Sequence, residues 1–255
     1  MKLERVSFKY QKETIGGFLY TPDGAGPFPA VILVHGFAGG VHQAKLKSQC
    51  EQLAKKGFMA FMFDFYDIPN QISTVRREFT SVSLQLKILR SAVDYICGLS
   101  VVDVNKIGLA GHSLGGMTAL LYCVADSRIK ALVLESPVSD FGNTPAFDAD
   151  KVQWKKKGHH IFARSFGEMK IYWDFMKDGL KYDVYTFARK VKCPVLVTHG
   201  DTDSVVPLDH SKKLVKHLKV SDQLIIVPGA GHEYKEGNSL AMVTSKLIEF
   251  MKNKL

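Results

Sequence analysis

Long apolar runs and cysteines are both scarce in this sequence. No apolar run reaches the roughly 18 residues that a membrane-spanning helix needs, and residues 1–6 carry no apolar core of signal-peptide length. The four cysteines lie far apart and match no metal-ligand spacing. From these absences we expect a cytoplasmic protein with reduced thiols, with no membrane span, no metal and no secretion signal.

Acidic side chains are also few, 25 against 34 basic ones, which leaves a formal net charge of +9. Eleven lysines and arginines but only four acidic residues lie between residues 151 and 192, so most of the excess is local. A basic face can bind nucleic acid, but no nucleic-acid-binding motif accompanies this one. We therefore interpret it as a solvated helix surface and expect no nucleic-acid partner.

Apolar runs at regular intervals predict an α/β domain. Short continuous runs are typical of strands buried on both faces, and longer stretches between them predict helices. Strand-like runs occupy residues 3–10, 15–20, 30–34, 58–63, 106–110, 129–134, 194–198 and 224–227, and helix-like stretches occupy 43–56, 116–124, 207–218 and 239–252. The first two runs predict a β-hairpin. The alternation that follows predicts a mostly parallel central sheet with helices on both faces, which binds ligands at the carboxyl ends of its strands.

A further helix is predicted from apolar residues spaced alternately by four and three, which form one stripe on a helix. A coiled-coil seam is the alternative, but the repeat is short and lies between strand-like neighbours, so we favour packing on the sheet. The stripe consists of Val75, Phe79, Val82, Leu86, Leu89, Val93 and Ile96.

One connection, residues 136–192, is much longer than a crossover between strands requires and shows no convincing strand pattern. We interpret residues 137–189 as a helical lid insertion over the active-site end of the sheet, between core segments 1–136 and 190–255. A peripheral ornament is the alternative. The insertion mixes lysines with the aromatic residues Trp154, Phe162, Phe166, Tyr172, Trp173, Phe175, Tyr182 and Tyr185.

The segment Gly111-His112-Ser113-Leu114-Gly115 lies between a strand-like and a helix-like run. A serine in a glycine-flanked turn between strand and helix is the arrangement of a nucleophile elbow. Such a turn strains the backbone of the serine and brings neighbouring chain close, so glycine is needed on both sides. Ser113 is therefore a candidate nucleophile.

A serine hydroxyl needs a base within hydrogen-bond reach, and that base needs a carboxylate to orient it. Two later predicted strands are each followed by a polar loop. The first loop contains Asp201 and Asp203, and the second presents His232 after two glycines. The order serine, aspartate, histidine is that of α/β hydrolases, with either aspartate as the acid.

The chain resembles the α/β-hydrolase superfamily over nearly its whole length. Four motifs carry the resemblance: His35-Gly36-Phe37, Gly111–Gly115, the turn 199–207 and Gly231-His232. The resemblance implies that Ser113 is the nucleophile and His232 the general base. It also implies that Asp203, in the pattern H-G-x-x-D-x-x-V-P, is the acid, and that the backbone N–H groups of Phe37 and Leu114 form the oxyanion hole. No metal or organic cofactor is required.

Within the superfamily, the chain is most similar to small esterases of the feruloyl or cinnamoyl esterase type. This similarity implies a serine carboxylesterase that works through an acyl-enzyme intermediate on a small-molecule ester. Aryl esters and short-to-medium acyl esters are the expected substrates. Relatives with an aspartate or cysteine nucleophile, including dienelactone-type hydrolases, are disfavoured because residue 113 is serine.

Three other functions are compatible with the same residues. An acyl thioesterase would use the same triad, and its basic insertion would meet an anionic carrier such as coenzyme A. A serine peptidase of the prolyl oligopeptidase type shares the triad order but usually carries a large extra domain. A ligand-binding protein on a hydrolase fold would not need an intact triad. For the assembly, a homodimer is one alternative.

Overall fold

The computed structural model describes residues 1–69, 71–147, 150–164, 167–219 and 221–255. These residues contain ten β-strands. Phe166, one of the aromatic residues of the predicted insertion, lies outside these ranges. The strands are β1 (Lys2–Tyr10), β2 (Glu13–Thr21), β3 (Phe28–Val34), β4 (Met59–Phe63), β5 (Val102–His112), β6 (Ile129–Glu135), β7 (His159–Arg164), β8 (Gly167–Tyr172), β9 (Val195–Gly200) and β10 (Ser221–Val227).

Eight of these strands form one sheet in the order β1-β2-β4-β3-β5-β6-β9-β10. The amino-terminal hairpin of β1 and β2 is antiparallel, and β2 pairs antiparallel with β4. All later pairs are parallel, so their carboxyl ends meet at one edge. The sheet therefore confirms the predicted α/β-hydrolase architecture, and it brings the loops after β3, β5, β9 and β10 to the same side.

Helices cover both faces of this sheet. Alternate residues of β3 explain why both faces are apolar: Val31 and Leu33 pack with α1 and α8, whereas Ile32 and Val34 pack towards α2 and α3. No helix among the described residues is both long and apolar enough to cross a bilayer. The helices are α1 (Ala44–Lys55), α2 (Val82–Cys97), α3 (Leu114–Ala125), α4 (Lys151–Lys157), α5 (Asp174–Gly179), α6 (Val184–Ala188), α7 (Asp209–Val215) and α8 (Ser239–Lys254).

Helix α2 is shorter than the apolar stripe predicted. It begins at Val82, so the prediction was wrong for Val75 and Phe79, which precede it. Ser81 caps the helix, because its side chain accepts a hydrogen bond from the Leu84 N–H at 3.1 Å. Phe79 ends a short 3₁₀ helix instead and is 53% exposed. The cap, rather than the end of the apolar pattern, sets the start of α2.

The insertion is not purely helical, which corrects the sequence interpretation. Between α4 and α5, β7 and β8 form an antiparallel hairpin in which Phe162 faces Met169 and Ile161 faces Lys170. Phe162 and Met169 are buried, whereas Ile161 and Lys170 are exposed. This alternation with a period of two is the strand signal that lysines and histidines obscured.

The insertion is docked on the start of α2. The Asp178 carboxylate accepts hydrogen bonds from the backbone N–H and the hydroxyl of Ser83, at 2.7 and 2.6 Å. The Tyr182 hydroxyl lies 2.7 Å from the same Ser83 hydroxyl. The Phe79 and Tyr172 rings stack with centroids 5.2 Å apart. These contacts join α5 and β8 of the insertion to the core.

Candidate active site

Ser113 occupies a strained turn between β5 and α3. Its φ of 58° and ψ of −122° are unusual for a residue with a side chain. Its N–H donates to the main-chain oxygen of Glu135 at 2.9 Å, and its carbonyl accepts from the Val138 N–H at 3.1 Å. Hydrogen bonds to the end of β6 and the segment after it therefore hold the strained conformation in place.

Close approach of backbone explains the two flanking glycines. A Cβ atom at Gly111 would lie 2.4 Å from the Gly115 oxygen, and one at Gly115 would lie 2.3 Å from the His35 oxygen. A Cβ at Gly36 would lie 2.9 Å from the Ser113 Cβ. No side chain fits at these distances. The loop after β3 therefore passes directly beside Ser113.

His232 and Asp203 form a close pair at the carboxyl edge of the sheet. His232 Nδ1 lies 2.7 Å from Asp203 Oδ2, and Asp203 Oδ1 accepts from the N–H groups of Val205 and Val206 at 2.9 Å. Burial alone would raise the pKa of Asp203, but hydrogen bonds from His199 and His232 outweigh it and hold that pKa well below its usual range. Asp203 is therefore ionised at neutral pH.

Asp201, the competing acid, lies elsewhere. Its Oδ1 accepts a hydrogen bond from the Gly229 N–H at 2.6 Å, which ties together the loops that follow β9 and β10. Of the two aspartates in this turn, the structure brings Asp203 to His232.

His112 connects the loop of His232 to the serine turn. His112 Nε2 lies 2.9 Å from the main-chain oxygen of His232, and the two rings are 4.6 Å apart between centroids. Burial lowers the pKa of His112 well below its usual range, so the ring is neutral and its Nε2–H donates. The loop of the candidate base is therefore tied to the residue that precedes the candidate nucleophile.

The predicted oxyanion donors belong to the serine turn and to the loop after β3. Leu114 is the first residue of α3, where a backbone N–H has no carbonyl partner within the helix. Phe37 lies on the loop after β3, which His35 supports. The Nδ1–H of His35 donates to the Gly36 oxygen at 2.8 Å, while its Nε2 accepts from the Phe65 N–H at 3.1 Å. Burial lowers the pKa of His35 to about 4, so this histidine is neutral and holds the loop.

The Phe37 side chain packs into the insertion. Its ring centroid lies 5.2 Å from each of the centroids of Phe147, Phe162 and Phe175. These three rings are buried. The insertion therefore covers the loop that carries the candidate oxyanion donor.

The two adjacent histidines of the insertion contact other groups of the protein. His159 Nδ1 contacts the Lys157 oxygen at 3.2 Å, and His160 packs on Trp154. Ligand atoms of His112, His232 and Glu233 come within 4.8 Å of one another. The hydrogen bonds of these two histidines to the His232 oxygen and to Asp203 already account for one ring nitrogen of each.

Two buried pairs were missed by the sequence reasoning. Lys45 Nζ lies 2.7 Å from Glu135 Oε2, with both side chains almost fully buried. Cys123 Sγ lies 3.2 Å from Cys193 Sγ, and both residues are buried free cysteines. In each pair the partners are far apart in sequence, and no local pattern signals their contact.

Comparison with known proteins identifies two matching families. A model of the dienelactone hydrolase family matches residues 15–157, and a model of the prolyl oligopeptidase family matches residues 89–255. The chain is 24% identical to the quorum-quenching protein AidA of Acinetobacter baumannii (strain MDR-ZJ06), over 97% of this chain and 93% of that protein. It is 28% identical to acyl-coenzyme A thioesterase 1 of Rattus norvegicus, over 84% of this chain but only 50% of the thioesterase.

Among solved structures, Est1E from Butyrivibrio proteoclasticus with bound ferulic acid matches with a TM-score of 0.85 and 25% identity. The match covers 98% of each chain. The resemblance to small esterases is thereby confirmed. The dienelactone hydrolase match corrects our expectation that serine at position 113 disfavours that group of relatives.

Proposed function

The chain belongs to the dienelactone hydrolase family and to the prolyl oligopeptidase family, and from that premise we propose that it is a serine carboxylesterase. The observation that carries the proposal is the 2.7 Å contact between His232 and the buried Asp203, on a loop that His112 ties to the strained turn of Ser113. A carboxylate that holds Nδ1–H leaves Nε2 of the same ring as the proton acceptor. A histidine–aspartate pair and a serine in a strained turn are the groups that nucleophilic catalysis requires.

In the proposed reaction, Ser113 Oγ attacks the ester carbonyl carbon while His232 Nε2 takes the hydroxyl proton. The resulting oxyanion accepts hydrogen bonds from the N–H groups of Leu114 and Phe37. The carbon–oxygen bond to the alcohol then breaks, and His232 gives its proton to the leaving oxygen. Water then attacks the acyl carbon while His232 Nε2 takes one of its protons. The bond to Ser113 Oγ breaks, His232 gives the proton to this oxygen, and the acid is released.

Aryl esters of the feruloyl or cinnamoyl kind are the first substrate candidates, with short-to-medium acyl esters beside them. Phe37, Phe147, Phe162 and Phe175 pack together as an aromatic wall at the loop that carries the candidate oxyanion donor. Phe37 is only partly buried, and we expect an aromatic acyl group to pack against it. The fold match to a ferulic acid complex supports the same class.

Acyl thioesters are a second candidate class. Lys155, Lys156 and Lys157 are exposed at the end of α4, on the insertion that covers the Phe37 loop. Exposed lysines attract an anionic leaving group such as coenzyme A. The similarity to an acyl-coenzyme A thioesterase supports this class, although the chain spans only half of that protein.

A fluorophosphonate probe tests the proposal directly. Wild-type protein should be labelled at Ser113, Ser113→Ala should not, and Ser245→Ala on the exposed side of α8 should behave as wild type. Loss of the nucleophile should lower kcat on a good ester by about 10⁶-fold. Absence of labelling, or labelling that persists in Ser113→Ala, would overturn the assignment.

The substrate class requires a separate measurement. Values of kcat/KM for p-nitrophenyl esters, methyl cinnamates, acyl-coenzyme A thioesters and a chromogenic peptide should be highest for oxyesters. Turnover of acyl-coenzyme A thioesters alone would favour the second candidate, and turnover of the peptide alone would favour a peptidase.

A further inference from the structure

We propose that the buried ion pair of Lys45 and Glu135 is a positioning device that holds the three loops of the active site in register. The inference rests on the proposed function, because it assigns a role to residues behind Ser113 and His232. Neither residue contacts the reacting atoms in the mechanism above.

The pair lies at the centre of a buried polar cluster. Lys45 Nζ and Glu135 Oε2 are 2.7 Å apart, and the two side chains are 6% and 3% exposed. The second carboxylate oxygen of Glu135 accepts a hydrogen bond from Gln49 Nε2 at 2.6 Å. Lys45 Nζ also lies 4.8 Å from the centroid of the Tyr234 ring, within range of a cation–π interaction.

Glu135 joins this cluster to the nucleophile. It is the last residue of β6, and its main-chain oxygen accepts the hydrogen bond from the Ser113 N–H at 2.9 Å. The next residue, Ser136, has a φ of 44° and donates its N–H to the Thr198 oxygen at 2.8 Å. The carboxylate of Glu135 therefore anchors the chain that holds the strained serine turn.

Lys45 joins the cluster to the loop of the base. Tyr234, two residues after His232, has a φ of 53° and is fully buried. Its hydroxyl lies 3.0 Å from Ser136 Oγ and 3.2 Å from Thr198 Oγ1. The ammonium group of Lys45 rests on the ring of this residue. Two contacts thus hold the His232 loop: the Tyr234 hydroxyl with Ser136 and Thr198, and His112 with the His232 oxygen.

Lys45 also connects to the oxyanion loop. It is the second residue of α1, directly after the loop that carries Phe37. Within that loop, the Gln43 N–H donates to the Gly40 oxygen at 3.1 Å. A displacement of Lys45 would therefore move the amino-terminal end of α1 and the loop that precedes it.

Stability alone does not account for a charged pair at this place. Removing two charges from water is costly, and apolar residues of similar volume often stabilise a core as well or better. The ion pair does fix the distance between its two charged groups, which lie 2.7 Å apart. Here it does so where the chains of Ser113, His232 and Phe37 converge, and misplacement by about 1 Å is enough to cost a site on the order of 100-fold in rate.

The test compares Lys45→Met, Glu135→Gln, the double variant and a control pair on the surface of α8, Lys246→Met/Glu249→Gln. Each single variant leaves one buried group without its ion-pair partner and should lose free energy of unfolding in urea. The double variant leaves no charge unpaired and should regain most of that loss. Its kcat on a p-nitrophenyl ester should nevertheless stay about 10- to 100-fold below wild type, with KM within about threefold. The control should match wild type.

Recovery of kcat together with stability in the double variant would show that the pair is structural only and would overturn the proposal. Lys45→Arg is a second test, because arginine keeps the positive charge but places its donor atoms differently. We expect this variant to lower kcat, and a wild-type kcat would contradict the proposal. Fluorophosphonate labelling separates the two hypotheses. An unlabelled wild type contradicts the proposed function, whereas a labelled wild type with equally reactive double variant contradicts only the positioning role.

Discussion

The Nε2 atom of His112 lies 2.9 Å from the main-chain oxygen of His232, across 120 residues of sequence. The residue directly before the candidate nucleophile thus holds the loop of the candidate base. Because burial keeps His112 neutral, this hydrogen bond has a fixed direction, from the imidazole to the carbonyl. The contact joins the end of β5 to the loop after β10 without taking part in the proposed chemistry.

Substitution of His112 tests whether this bond sets the geometry of the site. His112→Leu removes the donor, and we expect kcat on a p-nitrophenyl ester to fall on the order of 10- to 100-fold because the His232 loop loses its tether. His112→Asn keeps an N–H donor and should retain more activity than His112→Leu. Equal kcat values in these two variants, at equal thermal stability, would contradict the expected role.

The two aspartates of the turn after β9 provide a matched pair for testing the acid. Asp203→Asn removes the charge that faces His232 and should lower kcat about 10⁴-fold, as loss of the triad acid does in serine proteases. Asp201→Asn alters only the bond to the Gly229 N–H and should leave kcat within a few-fold of wild type. Steady-state kinetics on one ester decides the assignment, and the reverse ranking would transfer the role to Asp201.

The candidate triad could be predicted from sequence because each member follows a readable apolar run. Ser113, Asp203 and His232 lie after β5, β9 and β10, and parallel strands place their carboxyl ends at one edge. Recognising the strands was therefore enough to predict that these three residues, which are far apart in sequence, lie at the same edge of the sheet. The loop of Phe37 was predictable for the same reason, since it follows β3.

Contacts between side chains were not predictable in this way. The Lys45–Glu135 pair crosses from α1 to the end of β6, and no periodicity in either element marks it. The β7–β8 hairpin was missed because its buried Phe162, Met169 and Ile171 alternate with exposed residues in a stretch that also contains lysines and histidines. The start of α2 was misplaced because the Ser81 cap interrupts an apolar pattern that continues upstream.

Asp64, directly after β4, makes stability depend on pH. The residue is fully buried, its Oδ1 accepts from the Val41 N–H at 2.7 Å, and within the described residues its Oδ2 has no hydrogen-bond partner. Burial raises the pKa of Asp64 to about 7, against the opposing effects of the Val41 N–H and Arg5. In the unfolded chain an aspartate titrates near pH 4, about its model value.

Between these two pKa values the folded state binds more protons than the unfolded state at this position. The contribution of Asp64 to the free energy of unfolding is therefore present below about pH 4 and is lost as the pH rises to about 7. Asp64→Asn should gain stability relative to wild type across this window, by about 2 to 4 kcal/mol between pH 4 and pH 8. Urea unfolding of both proteins at several pH values measures the difference. A difference that is constant with pH would contradict the buried, proton-binding carboxyl.

The aromatic wall around Phe37 should set substrate preference, and the core offers a matched control. Phe175 packs on Phe37, whereas Phe8 packs on Phe61 and Phe63 on the far part of the sheet, and both Phe175 and Phe8 are buried. Phe175→Leu should lower the ratio of kcat/KM for methyl cinnamate over p-nitrophenyl butyrate on the order of tenfold, because it loosens the packing of Phe37, against which we expect the aryl group to lie. Phe8→Leu should lose stability but keep this ratio. If both variants keep it, the wall is core packing, and the aryl preference must come from residues on another side of Ser113.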